Sequence, residues 1–87
     1  MKPEMILDED GTKSWLLNGK RHREDGPAIE WADGTKHWYL NGQLHREDGP
    51  AIEFADETKE WFLNDKELTE EEFKKTILKK RLKDLIK

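Results

Sequence analysis

The chain has 87 residues, of which 41% are charged and 33% hydrophobic, with a formal net charge of -4 and no cysteine. This length fits one small domain, and eight aromatic residues argue against a disordered chain. Without cysteine, disulfides, thiolate metal sites and cysteine nucleophiles are excluded. No apolar run approaches the roughly 20 residues of a membrane helix. No secretory signal is predicted either, so we expect a cytoplasmic protein without a membrane segment.

Charge is divided unevenly along the chain. Residues 1–73 carry 9 basic and 19 acidic residues, whereas residues 74–87 carry 7 basic residues and 1 acidic residue. An acidic body repels nucleic acid, which is therefore not an expected partner of this body. The basic tail either contacts a phosphate or an acidic protein, or lies against its own acidic body.

A 23-residue repeat organises the sequence. Residues 10–32 read DGTKSWLLNGKRHREDGPAIEWA and residues 33–55 read DGTKHWYLNGQLHREDGPAIEFA, identical at 18 of 23 positions. A third copy begins at Asp56 and departs from the pattern at Leu68. Internal repeats of this length are typical of stacked supersecondary units. Two rows of matching residues fix the register: Trp15, Trp38 and Trp61, and Ile6, Ile29 and Ile52.

Each copy contains two short alternating apolar segments and two turn signals. Asp33-Gly34 and Asn41-Gly42 are strong hairpin signals, because both central residues of a type I′ turn take positive φ. We therefore predict an α+β, mainly β fold. Its β part, residues 1–67, is an antiparallel meander of about six short strands built from β-hairpin repeats.

Alternation along the strands places Trp38 and Leu40 on one face, and His37 and Tyr39 on the other. The residues at the Tyr39 position in the three copies are Leu16, Tyr39 and Phe62. This row either meets a covering helix or forms an exposed interface for a partner.

Residues 68–87 change to a helical period within the same single domain. Thr69 and Glu72 form a predicted capping box. The apolar residues are interpreted as one stripe: Phe73, Ile77, Leu78, Leu82, Leu85 and Ile86. A helix of about 27 Å matches the roughly 24 Å width of six strands. We therefore predict that it covers one face of the sheet and leaves the other for a partner or a second copy.

The unit WYLNGxxHREDGPAIEWADGTK resembles the MORN-like repeat variants of small phage-encoded and bacterial proteins, over roughly residues 10–65. The resemblance implies stacked β-hairpins and an interaction role, and it implies no enzymatic activity. The third copy departs from the pattern. Glu57 and Asp65 replace glycines, and the HREDGPA segment is missing. The array therefore ends at the helix, as at a capping element.

The repeated His-Arg-Glu-Asp loops are the candidate binding residues. In a functional interpretation, Arg23 and Arg46 offer guanidinium forks to a carboxylate or phosphate. In a structural interpretation, Asp-Gly supplies positive φ, the carboxylates bond local N–H groups, and the arginines tie one unit to the next. Repetition favours the structural interpretation, because repeats also copy structural necessities. The candidate set is His22, Arg23, Glu24, Asp25, His45, Arg46, Glu47 and Asp48.

No cofactor, metal or catalytic residue is predicted. The His-x-Glu-Asp spacing is not an established metal motif. The only serine, Ser14, lies beside Trp15, and the glycines stand singly at turns rather than in a phosphate-binding loop.

We expect a non-enzymatic protein-binding module, a small phage-encoded inhibitor or adaptor that acts on a host protein through an acidic β-repeat surface. Two alternatives stay open. One is binding of an anionic small ligand or nucleotide at the loops or at a dimer seam. The other is a structural, self-associating domain whose uncovered face makes a homodimer.

Overall fold

A computed structural model describes residues 2–86, which form short antiparallel strands followed by one C-terminal helix. This confirms the predicted mainly β, α+β fold. No helix in this range has the length and apolarity needed to cross a bilayer. The elements are β1 (Glu4–Leu7), β2 (Lys13–Leu17), β3 (Lys20–Arg21), β4 (Ile29–Glu30), β5 (Lys36–His37), β6 (Tyr39–Leu40), β7 (Gln43–Leu44), β8 (Ile52–Glu53), β9 (Lys59–Leu63), β10 (Lys66–Leu68) and α1 (Glu70–Ile86).

The main sheet has the order β1-β2-β4-β5-β8-β9-β10, with β3 paired to β2, and β6 and β7 form a separate pair. One row of directly opposed residues crosses the repeats: Ser14 faces Ile29, which faces His37. His37 then faces Ile52, which faces Glu60. The sequence repeat is therefore a spatial repeat, in which each copy adds strands to the same sheet.

The described residues contain ten strands where the sequence predicts about six. The six expected strands are present, but the segment from Lys36 to Leu40 is split at Trp38 into β5 and β6. The second arms of the three Asn turns add β3, β7 and β10. Trp38 N donates to Ala51 O at 2.8 Å, and Tyr39 and Leu40 pair with β7. The matching Trp15 lies inside the unbroken β2, where it also pairs with Met5 of β1.

The two turn signals produce two different turns. At Asn41-Gly42 both residues have positive φ (51° and 80°), as a type I′ hairpin requires. At Asp33-Gly34 only the glycine does, with φ 96°, which corrects the expectation of a type I′ turn there. Asp33 Oδ1 instead accepts a hydrogen bond from Thr35 N at 2.9 Å, so the carboxylate organises a longer loop.

The buried apolar core is small. In the described residues it consists of Ala28 and Ile29 from the first full copy, Ala51 and Ile52 from the second, and Phe73 and Ile77 from the helix. The four tryptophans and Tyr39 are only partly buried. Contacts between polar side chains of adjacent repeats therefore matter more here than in a larger domain.

Helix α1 begins with the predicted capping box. Glu72 N donates to Thr69 Oγ1 at 3.1 Å, and Thr69 N donates to Glu72 Oε1 at 2.9 Å. These bonds hold the pKa of Glu72 below its ordinary value. The helix packs on the strands, as predicted, but its main contacts are with β9 and β10 at one end of the sheet.

The apolar positions of α1 do not form one stripe against the sheet. Phe73 and Ile77 are buried, whereas Leu78 and Leu82 are exposed. Leu85 and Ile86 are exposed as well. The helix therefore presents one apolar face to its own sheet and a second apolar face to solvent.

Candidate functional site

The arginines of the two His-Arg-Glu-Asp loops lie flat against tryptophans. Arg46 Cζ lies 3.8 Å from the centroid of the Trp38 ring, and Arg23 Cζ lies 3.8 Å from that of Trp15. Stacking of a guanidinium on an indole is a favourable cation–π contact. Each arginine thereby covers the exposed side of its own repeat's tryptophan.

The same guanidinium groups donate from Nε and Nη1 to acceptors of their own repeat. Arg46 Nε donates to Asp48 Oδ1 at 2.8 Å, and its Nη1 donates to Pro50 O at 3.0 Å and to Glu53 Oε2 at 2.9 Å. Arg23 makes the matching three bonds at 3.0, 3.2 and 3.2 Å. These arginines organise the loops and are not offered as free forks for an anion.

Glycine follows the loop aspartates for a steric reason. A Cβ at Gly26 would lie 3.0 Å from Arg23 Cζ, and one at Gly49 would lie 3.0 Å from Arg46 Cζ. Neither glycine has positive φ, which corrects the expectation that Asp-Gly supplies a left-handed residue here. Glycine leaves room for the guanidinium to fold back over the loop.

The loop histidines connect each repeat to the next. His22 Nδ1 accepts a hydrogen bond from Asn41 N at 2.9 Å, and His45 Nδ1 accepts one from Asn64 N at 3.0 Å. Because Nδ1 accepts, the ring hydrogen is on Nε2, which faces Glu24 Oε2 at 3.3 Å in the first loop. The matching bond from His45 to a loop glutamate is 3.0 Å long.

The third copy lacks the histidine and the arginine that make these contacts. Leu68 stands at the histidine position and Thr69 at the arginine position. Helix α1 begins directly after them, so the chain has no further Asn turn there for a histidine to bind. The irregularity of the third copy is therefore explained by the contacts that the first two copies make.

The carboxylates of the loops point outward. The side chains of Glu24, Asp25 and Asp48 are at least 80% exposed. Glu47 is partly covered, because Lys80 of α1 donates to its Oε2 at 2.6 Å. The Lys80 ammonium, together with His45, holds the pKa of Glu47 below its ordinary value.

A groove of about 640 Å³ lies between the two loops. Trp38 and Leu40 supply apolar lining, and the loop carboxylates supply negative charge. We call it the acidic groove. Its lining residues are Arg23, Glu24, Asp25, Gly26, Trp38, Leu40, His45, Arg46, Glu47 and Asp48. Seven of the eight predicted loop residues thus lie together, whereas His22 lies outside the lining.

The predicted interface row is only partly brought together. Leu16 and Tyr39 line a second, smaller cavity, of about 380 Å³, which Phe62 does not line. All three side chains are partly buried. The Arg21 guanidinium lies 5.7 Å from the Tyr39 ring centroid. Their role as an interface stays a prediction. Within residues 2–86, no group of three or more histidine, aspartate or glutamate side chains is placed to hold a metal ion.

One titratable residue was not singled out from the sequence. His37 lies against Trp31, with ring centroids 4.3 Å apart in an edge-on arrangement, and near Tyr39 and Phe54. Its Nδ1 is buried and has no hydrogen-bond partner in the described residues. Burial, and secondarily the charge of Arg21, lowers the pKa of His37 below the ordinary 6.5. In the sequence, only the alternation of His37 with Trp38 along the predicted strand indicated on which face its side chain lies.

We expect His37 to make the protein less stable as the pH falls below about 6.5. The lowered pKa means that the unfolded chain binds the proton more readily, so stability is present above 6.5 and is lost as pH falls toward the folded-state pKa. Urea unfolding at pH 5 and pH 7.5 checks this. His37→Ser is the matched variant, because the first copy carries Ser14 at this position. The variant is expected to show a smaller difference between the two pH values, and an equal difference would contradict the assignment.

Comparison with protein families, curated proteins and solved structures finds no match for this chain. The resemblance to MORN-like repeats therefore stays a prediction. Function has to be argued from the geometry of the loops and of the acidic groove between them.

Proposed function

We propose that the protein is a non-enzymatic protein-binding module whose acidic groove receives lysine or arginine side chains of a partner. One observation carries this proposal: the loops expose their carboxylates, and Asp25 and Asp48 use only Oδ1 in their ion pairs with the stacked loop arginines. The groove therefore combines the negative charge of the loop carboxylates with the apolar surface of Trp38 and Leu40. A basic side chain fits such a site, because its stem packs on apolar atoms while its charged end meets a carboxylate.

The same contacts make anionic-ligand binding and catalysis less suitable functions. An anionic ligand is best held by a free guanidinium fork, but Nε and Nη1 of Arg23 and Arg46 already donate three hydrogen bonds within the chain. General acid–base catalysis needs a histidine free to exchange a proton with a substrate. His22 and His45 instead have both ring nitrogens engaged by neighbouring groups of the chain.

The biological setting we propose is that of a small phage-encoded inhibitor or adaptor, which acts on a host protein in the host cytoplasm. The resemblance to phage-type MORN-like repeats supports this setting, as does the acidic body of residues 1–73. Such a surface attracts a basic region of a partner and speeds its association at low salt. Nucleic acid is not the proposed ligand, since it would be repelled.

Removing charge from the groove is expected to weaken binding of a basic peptide by about tenfold, since each exposed charge pair contributes up to about 1 kcal/mol. The groove variant is Glu24→Gln with Asp48→Asn, which keeps side-chain shape. The control is Glu67→Gln with Glu71→Gln, two exposed residues that do not line the groove and whose substitution changes net charge equally. Isothermal titration with a peptide rich in lysine and arginine measures the affinities.

Three outcomes are distinguished. Weak binding of the groove variant beside normal binding of the control, together with weaker wild-type binding at high salt, supports the proposal. Equal loss in both variants would mean that the peptide responds to overall charge alone. No detectable binding by the wild-type protein would contradict the proposal.

A further inference from the structure

Large apolar side chains are exposed in only two places among residues 2–86. The edge patch consists of Met5, Ile6 and Leu7 of β1. The helix patch consists of Leu78, Leu82, Leu85 and Ile86 of α1. These side chains are between 42% and 83% exposed. Single exposed apolar residues need no explanation, but clusters of this kind mark association surfaces.

The edge patch lies on a strand with an unused side. β1 pairs with β2 alone. Ser14 of β2 is opposite Ile6 on one side and Ile29 on the other. Ile29 is also opposite His37 of β5 and is only 2% exposed, whereas no described strand lies on the outer side of Ile6, which is 42% exposed. Met5 and Leu7 lie on one face of this edge strand and Ile6 on the other, so within the described residues the edge offers apolar side chains on both faces and a row of unpaired backbone groups.

The helix patch is distinct from the face that packs on the sheet. At about 100° per residue, its four side chains fall within an arc of about 100°, centred roughly 140° away from Phe73 and Ile77. Lys80, which binds Glu47 of the body, lies on the packed side. Leu82, Leu85 and Ile86 therefore face away from the contacts that hold the helix to its own sheet, whereas Leu78 borders a cavity that Phe73 and Ile77 also line.

The charges around the two patches are mainly opposite. Three exposed acidic residues, Glu4, Asp8 and Glu9, adjoin the edge patch, beside one basic residue, Lys13, opposite Leu7. Three exposed basic residues, Lys79, Arg81 and Lys83, flank the helix patch, beside one acidic residue, Asp84. Pairing two edge patches, or two helix patches, brings charges of mainly one sign together. Pairing an edge patch with a helix patch brings opposite charges together.

The two patches do not cover each other within one chain, since the side chains of both are exposed. The edge patch is on β1, the first strand of the sheet order, whereas the helix packs on β9 and β10, the last two. The occupant that fits each patch is the complementary patch of a second copy.

From these observations we infer that the protein associates with itself through contact of the helix patch of one copy with the edge patch of another. Two copies that exchange both contacts close as a dimer, and one contact per pair gives a ring or an open chain. The acidic groove shares no residue with either patch, although Leu78 lines a cavity beside its Glu47 and Asp48. This inference does not depend on the proposed function.

Two variants that place charged side chains in the patches test the contact. The helix variant is Leu82→Glu with Leu85→Glu, and the edge variant is Met5→Lys with Leu7→Lys. Every substituted side chain is exposed, so folding is expected to be retained, and circular dichroism verifies this. The control for added positive charge is Glu67→Gln with Glu71→Gln, which changes the net charge by the same amount as the edge variant. Sedimentation is measured from about 10 μM to about 1 mM, the range in which small interfaces associate.

We expect the mass of the wild-type protein and of the control to rise above the 10.4 kDa of one chain as concentration increases. Each variant alone is expected to remain a single chain. An equimolar mixture of the two variants is expected to reach twice that mass, because the mixture still contains one intact edge patch and one intact helix patch. High salt is expected to weaken the association.

Three results would overturn the inference. The first is a wild-type protein that stays monomeric up to about 1 mM, above which small interfaces are rarely significant. The second is association that survives in either variant, which would indicate symmetric pairing of like patches. The third is a mixture of the two variants that remains monomeric although the wild type associates.

Discussion

Replacing Phe73 with alanine is expected to lower the free energy of unfolding by about 3–5 kcal/mol, the range for deleting a buried aromatic side chain. Phe73 is 6% exposed and, with Ile77, supplies the helix's share of the buried apolar core. Small domains are stable by about 5–15 kcal/mol in total, so this loss is a large fraction. Urea unfolding followed by circular dichroism at a helix-sensitive wavelength measures it.

Leu82→Ala is the matched control on the same helix. Leu82 is 50% exposed, so its truncation is expected to change the free energy of unfolding by less than about 1 kcal/mol. Similar losses for both variants would contradict the division of α1 into a packed face and an exposed face.

Replacing Arg46 with alanine is expected to lower the free energy of unfolding by about 2–3 kcal/mol. The substitution removes the guanidinium from Trp38, 3.8 Å away, and leaves Glu53 and the carbonyl of Pro50 without their donor. Arg46→Lys is expected to recover little stability. A planar guanidinium stacks on the indole while it donates hydrogen bonds in its own plane, and an ammonium has no such plane. Urea unfolding followed by tryptophan fluorescence measures both variants.

Arg21→Ala provides the control for loss of a positive charge. Arg21 is exposed, and its guanidinium is 5.7 Å from the Tyr39 ring centroid, so its removal is expected to cost less than about 0.5 kcal/mol. Full stability of Arg46→Lys would show that charge alone, without stacking and fork geometry, holds the loop.

Much of the fold could be predicted because its signals are local. Asn41-Gly42 requires a particular pair of φ angles, and Thr69 with Glu72 satisfies the first N–H groups of a helix. The number of strands was underestimated because the second arms of the Asn turns, β3, β7 and β10, are strands as well, and because the segment from Lys36 to Leu40 is split at Trp38. The packed face of α1 was not predicted, because helical period alone does not say which apolar positions meet the sheet.

The loops were located from the sequence, but the division of labour within them was not. Nothing in the motif itself says that His22 serves the Asn turn of the following copy, since that contact spans 19 residues. The signal that was available is the third copy, in which Leu68 and Thr69 replace histidine and arginine just before the helix begins. The loop histidine is absent from the copy that no further Asn turn follows, as expected for a residue whose role is a contact between repeats.

The most direct test of the central claim is a nuclear magnetic resonance titration of the labelled protein with the same basic peptide. The claim is that histidine and arginine build the loops while the carboxylates between them receive a partner. It predicts that the Trp38 indole and the amides of Glu24, Asp25 and Glu47 shift most, since these residues line the acidic groove. The Trp31 indole lies against His37, does not line the groove and is expected to remain unchanged. Shifts concentrated at Trp31 and Tyr39, with none at Trp38, would contradict the account.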